Sequence, residues 1–387
     1  MKDQIAKYTA KLGADRSALP GAIAFAAQDD LLITDGAPQL AELAGATLSR
    51  LNALALVAAR PALPFAELLI ARAGADETGI VPQDTETRTF LHDIPFLRQK
   101  DLAEDAPGRI ARLLSHRKGI IVEGVGIVAV GAITVEQAYI NYSSVFHATF
   151  VKYLQDVLRD GFRVPGEEAA LELLRRDWLK PLTDDGLAFV PELSDDREEI
   201  LAEVERVGRY TVERGLVDSF FGNISARAGE LIYISQTAAS LDELAGCIDP
   251  VPTDNSSTTG ITASSELLAH RKIYEATGAR VILHGHPKFA VIMSMICEKQ
   301  GCSIRDCWKE CPEVRHLDAT PVVAGEIGAG GLAKRVPPVI GATGGAVVYG
   351  HGVFTIGDAG FGAAFSLMVA VENYCREEYF RRLDGRR

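Results

Sequence analysis

The stretch Gly119-Ile-Ile-Val-Glu-Gly-Val-Gly-Ile-Val-Ala-Val-Gly131 lies without a gap against Gly345-Ala-Val-Val-Tyr-Gly-His-Gly-Val-Phe-Thr-Ile-Gly357, 226 residues further on. All four glycines coincide, at 119/345, 124/350, 126/352 and 131/357. The pairing continues through Ala138/Ala364, Val145/Val371 and Tyr153/Tyr379, and the same offset sets Pro61 on Pro287. Any two strand–turn–strand units share some pattern, and the 36 positions from 119 to 154 hold only eight identities. Shared glycines at turns between matching apolar strands are the stronger signal, because glycine there answers to backbone geometry. The chain therefore reads as two copies of one module, over 1–165 and 190–387, with a charged linker at 166–189.

The second copy is the more legible. Ser194-Asp-Asp-Arg-Glu-Glu predicts a serine-capped helix to about Glu213, and Ser264-Ser-Glu predicts another to about Ala276. Short strands are expected at Asn223–Ala226, Leu231–Ser235, Val281–His286, Ala346–Tyr349 and Val353–Ile356. Helices are expected at Ala290–Cys297 and Phe361–Arg382. Strands interleaved with helices indicate an α/β fold.

At 387 residues the chain has room for two or three domains, and 47% apolar with 24% charged residues is ordinary for a folded protein. A net charge of −12 with no basic cluster argues against nucleic acid. The longest apolar runs fall short of a membrane span, and Met1–Ala10 lacks the layout of a signal peptide, so a cytoplasmic location is expected.

His284-Gly-His286-Pro287 carries the first chemical signal. Residues i and i+2 of a strand share a face, so both imidazoles reach one metal ion, and Pro287 ends the strand beside them. Such a pair is also common as ordinary structure. His351, in a Gly-His-Gly turn after an apolar strand, supplies a third donor. Three histidines with one position left open is the layout of a catalytic zinc site. The first copy is the control: Ala58, Arg60 and Val125 stand where His284, His286 and His351 stand, so all three ligands disappear together. Glu266 reads either as a first-turn glutamate or as a general base beside the metal. Ser264 and Ser265 read as a helix cap or an anion cradle.

Cys297, Cys302, Cys307 and Cys311 crowd a segment that the first copy lacks. Free thiols, redox disulfides, and a second metal centre (zinc or an iron–sulfur cluster) all remain open for them.

Taken in order, Gly215-Leu-Val-Asp-Ser-Phe-Phe-Gly-Asn-Ile-Ser, Ile234-Ser-Gln-Thr-Ala-Ala with Leu241-Asp-Glu-Leu, Ser264-Ser-Glu, His284-Gly-His-Pro and His351-Gly-Val resemble the class II aldolase/adducin family over about 200–382. The resemblance implies two tandem α/β/α modules, each with a mixed central sheet, the first lacking the metal ligands. It implies a divalent metal, most often zinc, on His284, His286 and His351. Glu266 would move the proton, its pKa raised toward neutrality by burial, and Gly222, Asn223, Thr237, Ser264 and Ser265 would hold a substrate phosphate or other anion. The implied activity is lyase cleavage of a sugar-phosphate-like hydroxy-carbonyl compound through a metal-stabilised enediolate. Epimerisation, dehydration, decarboxylation and a non-enzymatic adducin-like scaffold are the alternatives. The partners implied are a small-molecule substrate and further copies of the chain, as a dimer of two-module chains in which the first copy stands in for an inactive neighbour. Phe220 replaces a small hydroxyl residue and Ala238 a glycine of the family pattern, and no tyrosine lies between His286 and Tyr349.

Overall fold

Strand pairing in the first unit runs β2-β1-β3-β7-β6-β5-β4, with β1 at Ala18–Gln28, β2 at Leu32–Gly36, β3 at Ala55–Pro61, β4 at Gly79–Ile80, β5 at Ile94–Leu97, β6 at Gly119–Val122 and β7 at Gly126–Gly131. In the second unit β8 is Asn223–Ala228, β9 Leu231–Ser235, β10 Ile248–Pro252, β11 Val281–Gly285, β12 Arg315–Leu317, β13 Thr320–Val323, β14 Gly345–Val348 and β15 Gly352–Gly357. Their order is β10-β9-β8-β11-β15-β14-β13-β12. This computed structural model describes residues 1–218, 220–257, 261–325 and 328–386; Ser219 of the Gly215–Ser225 motif lies outside them. The chain divides into Met1–Leu179 and Lys180–Arg387.

Removing the edge strand β10 leaves the two sheets with one order, and they also share one register. Ala55 pairs with Gly131 as Val281 pairs with Gly357, Gly119 with Ala129 as Gly345 with Thr355, and Phe96 with Ile121 as Val322 with Val347. The β5–β6 and β13–β14 pairs are parallel and the neighbouring pairs antiparallel, so both sheets are mixed. The fold is thus two tandem α/β/α modules.

Helices cover both faces of each sheet because both faces are apolar. In the first unit Ala44, Leu48, Ile110 and Leu114, from helices Pro38–Leu48 and Ala106–Leu114, pack on Ala26, Leu56, Ile120 and Val128. In the second, Ala269, Ile273 and Tyr274 of helix Leu267–Thr277 pack with Ile232, Ile282, Val348 and Phe354. The long helices Val135–Asp160 and Phe361–Asp384 begin at positions related by the 226-residue offset. They start differently, since the Thr134 hydroxyl accepts from the Gln137 N–H whereas Gly360 offers no side-chain cap.

Gly126 and Gly352 show why glycine recurs. A Cβ at Gly126 would stand 2.4 Å from the Ala59 carbonyl oxygen, and one at Gly352 would stand 2.3 Å from that of Gly285. The strand pairing itself forbids a side chain there in both sheets. Three helix starts differ from expectation, one of them by position alone, since the helix anticipated at Ala290–Cys297 runs over Lys288–Ser294. Asp196, not Ser194, caps Arg197–Glu213, because its carboxylate accepts the Glu199 N–H at 3.0 Å while the Ser194 hydroxyl takes that of Asp196. Glu266 occupies the N-cap position of Leu267–Thr277 rather than its first turn.

Candidate metal centre

β11 carries His284 inward, and Gly285 takes the chain to His286 at its end; these side chains are wholly and almost wholly buried. His351 projects from the turn between β14 and β15, where its N–H closes back on the Val348 carbonyl at 3.0 Å and the Gly350 N–H on the Ser294 hydroxyl at 2.8 Å. The strand pairing brings this turn over β11. The three imidazoles offer nitrogens that all lie within 4.8 Å of one another. Nε2 of His284 stands 3.0 Å from Nε2 of His286 and 3.2 Å from Nε2 of His351.

Surrounding groups fix the state of His284. Its ring stacks on Phe354 at 3.9 Å, and its Nδ1 lies 3.0 Å from the Val353 carbonyl oxygen, which only accepts. Nδ1 therefore carries the proton and Nε2 points its lone pair at the other two rings. Burial pushes the His284 pKa down to about 4, against the pull of Glu266, so the ring is neutral near pH 7. A lone pair facing two more nitrogens and, at 3.4 Å, the Glu266 Oε2 is a convergence that a cation relieves. Three imidazole nitrogens suit zinc, and the residues present fit it.

Glu266 spans the group, with Oε2 toward His284 and Oε1 3.3 Å from His351 Nε2. Burial pushes its carboxyl up, but His284, His351 and the amide of Asn223, which donates to Oε2 at 2.8 Å, outweigh that effect. The group is held well below the usual carboxylate range. This corrects the expectation of a pKa near neutrality: the side chain is an anion, the form that accepts a proton.

The anticipated anion-holding residues fare unequally. Gly222 has φ +77°, and a Cβ there would meet the His284 carbonyl oxygen at 2.5 Å, so it is a glycine for the sake of the strand edge. Asn223, opening β8 directly opposite His284, has its amide tied to Glu266 and its carbonyl to His270. The Thr237 and Ser264 segments are brought together by a Gln236–Ala263 bridge and by the Ser264 N–H on the Ser235 carbonyl. Thr237 and Ser265 are exposed, while Ser264 is buried with its hydroxyl accepting the Glu266 N–H. The Thr237 hydroxyl already donates to the Ala263 carbonyl at 2.9 Å.

All four segment cysteines are free, and Cys297, Cys307 and Cys311 line one small cavity with Glu313, Arg315 and Tyr349. Burial, then the neighbouring thiols, raises the Cys307 pKa. Among the described residues the three histidines are the only group of three or more such side chains whose donor atoms all lie within 4.8 Å of one another, and the cysteines form none.

Sequence reasoning missed His270, Ser225 and Tyr274. His270 and Ser225 are wholly buried and Tyr274 nearly so, and they join Asn223 in a hydrogen-bonded row behind Glu266. The one available sign was spacing: His270 lies four residues beyond Glu266, one helical turn along the same face, which by itself does not distinguish a site residue from a core one.

The Class II Aldolase and Adducin N-terminal domain matches residues 202–379. The second unit belongs to that family. Among solved structures, this chain is similar to L-fuculose-1-phosphate aldolase from Thermus thermophilus at 24% identity, covering 49% of this chain and 97% of that one, with a TM-score of 0.40. A sugar-phosphate aldolase from Thermotoga maritima is similar at 18% identity over 49% and 97%, with a TM-score of 0.37. The N-terminal class II aldolase domain of a conserved protein from Thermoplasma acidophilum is similar at 13% identity over 50% and 98%, with a TM-score of 0.36. No curated protein matches the chain. Among the described residues, no helix is long and apolar enough to cross a membrane.

Proposed function

We propose that the second unit is a metal-dependent lyase of class II aldolase type that cleaves a hydroxy-carbonyl compound, with His284, His286 and His351 as the metal ligands. The observation that carries this reading is the convergence of three imidazole nitrogens beside one carboxylate. A divalent ion, zinc by its donor set, supplies Lewis acidity at a substrate carbonyl when bound. The remaining chemistry belongs to the chain. Glu266 takes the proton of the substrate hydroxyl; the carbon–carbon bond breaks, its electron pair stays with the carbonyl-bearing fragment, and a proton then returns to that carbon. Asn223 holds Oε2 of Glu266 by a hydrogen bond, leaving Oε1 to receive the proton.

The Ser264–Ser265 segment, beside the Thr237 loop, borders the same carboxylate and is the place for a substrate anion. Sugar phosphates such as L-fuculose 1-phosphate head the substrates to test, with unphosphorylated hydroxy acids beside them. The test is turnover of that panel by the full chain before and after chelation. Cleavage is expected to vanish with chelator and return with zinc, and Glu266→Gln is expected to lower kcat by about 10²- to 10⁴-fold. Cleavage indifferent to chelation, or no turnover of any member by fully metal-loaded protein, contradicts the reading. Product analysis separates lyase from epimerase, dehydratase and decarboxylase outcomes.

A further inference from the structure

Behind Glu266 the polar row runs into the core of the second unit. The His270 Nε2 meets Asn223 Oδ1, Ser225 Oγ lies 2.7 Å from His270 Nδ1, and the Tyr274 hydroxyl lies 2.7 Å from the same Ser225 Oγ. Exposure is 0% for Ser225 and His270, 3% for Tyr274 and 4% for Asn223. In a row sealed from water every donor must find an acceptor, and this determines the direction of each bond.

The carboxylate end sets the first direction. Asn223 turns its NH₂ to Glu266 Oε2 at 2.8 Å and its carbonyl oxygen to His270 Nε2. That carbonyl only accepts, so His270 Nε2 carries a proton. A buried imidazole whose neighbours in the row are an amide and a hydroxyl is neutral, so Nδ1 accepts and Ser225 donates to it. Ser225 Oγ then accepts from Tyr274. Burial pushes the His270 pKa down to about 3, in keeping with the neutral ring. All four bonds donate in one sense, from Tyr274 to Ser225 to His270 to Asn223 to Glu266.

The first unit shows that packing does not require this row. Its register places Ala24 opposite Ala58 as Asn223 lies opposite His284, and Ala26 opposite Leu56 as Ser225 lies opposite Ile282. Ala24, Ala26 and Ala58 are fully buried, and their sheet keeps the same order.

We infer that His270 is a positioning residue: as the Nε2–H tautomer, anchored by Ser225 and Tyr274, it orients the Asn223 amide so that Glu266 Oε2 is held and Oε1 is left to move the proton. This deepens the proposed lyase reading and rests on it for the role of Glu266, though the tautomer and its anchoring do not.

The test uses the full-length, zinc-loaded chain with three measurements. The ¹⁵N shifts of the histidine rings are expected to give His270 as the Nε2–H tautomer, and Ser225→Ala is expected to shift its Nδ1 signal. His270→Gln is expected to keep the wild-type zinc stoichiometry while kcat falls about 10- to 100-fold, the usual scale for groups that orient a metal site's working residues, with KM nearly unchanged. Tyr274→Phe, which removes only the end donor, is expected to have a smaller effect in the same direction. A His270 that is Nδ1–H or doubly protonated at pH 7 overturns the inference, as does a folded, zinc-loaded His270→Gln with wild-type kcat. If the wild-type chain turns over nothing, the lyase reading fails, and the tautomer measurement still decides whether the row is directed as described.

Discussion

Two sheets of this molecule share strand order and register and differ in what they bury. At the position opposite Ala58 or His284 the first sheet has Ala24 and the second Asn223; two residues on, Ala26 holds the place that Ser225 takes in the second; and at the turn between the paired strands Val125 stands where His351 does. The first sheet shows what the fold alone requires there: small apolar side chains. The second carries two imidazoles, an amide and a hydroxyl at the same or neighbouring points, together with the Glu266 carboxylate. Burying polar groups is unfavourable unless each is paired, so a selective load of this kind in one of two equivalent sheets points to chemistry rather than to stability.

The sharpest way to break the comparison is to give the second sheet the first sheet's residue. His284→Ala is expected to leave the fold standing, because Ala58 occupies that register in the other sheet. Metal affinity is expected to fall by more than the ~100-fold that loss of an outer partner causes; zinc titration with far-ultraviolet circular dichroism checks both halves. Unfolding of the variant would contradict the equivalence of the sheets.

Where the sheets agree, matching variants should behave alike. Gly126→Ala and Gly352→Ala each force a Cβ to within 2.4 Å of a carbonyl oxygen across the ladder. Each is expected to destabilise its own unit by about 1–3 kcal/mol in urea unfolding. Gly126→Ala should be the worse of the two, because its φ of +123° adds strain. A neutral Gly352→Ala would mean that the strand pairing is looser there than described.

A subtler difference concerns single polar atoms. Ser225→Ala installs the residue of the first sheet but strands His270 Nδ1 and the Tyr274 hydroxyl without their shared partner. A loss of about 1–3 kcal/mol is expected from the unpaired groups. Replacing Tyr274 by Phe in the same chain should recover part of it, a double-mutant cycle that additivity would contradict.

The smallest effect lies in the loop that the first unit lacks. Ala238 has φ +60°, in the left-handed region that favours glycine. Ala238→Gly is expected to raise stability by up to ~1 kcal/mol, read as an upward shift of the unfolding midpoint, since a Cβ is disfavoured there.

How far the sequence could be read follows from the same comparison. The 226-residue offset predicts paired strands and a long terminal helix, and glycines 126 and 352 were legible because the ladder tolerates nothing else at those points. His284, His286 and His351 were legible because the first copy drops all three. The row through His270 was not, because a histidine and a tyrosine on the buried face of an amphipathic helix look like any core pair until the strand opposite is known. The state of Glu266 was hidden for a related reason. Burial taken alone raises a carboxyl, whereas Asn223 and two imidazoles, placed only by strand register, lower it. The edge strand β10, two of whose five residues are prolines, had no alternating pattern to announce it.

The most direct measurement is the metal content of the purified full-length chain, by elemental analysis after dialysis against dilute zinc, for wild type and for His351→Ala. Wild-type protein should retain an equivalent of zinc that His351→Ala no longer holds. Wild-type protein without bound metal, or a His351→Ala chain that keeps the same zinc, would contradict a centre built from His284, His286 and His351.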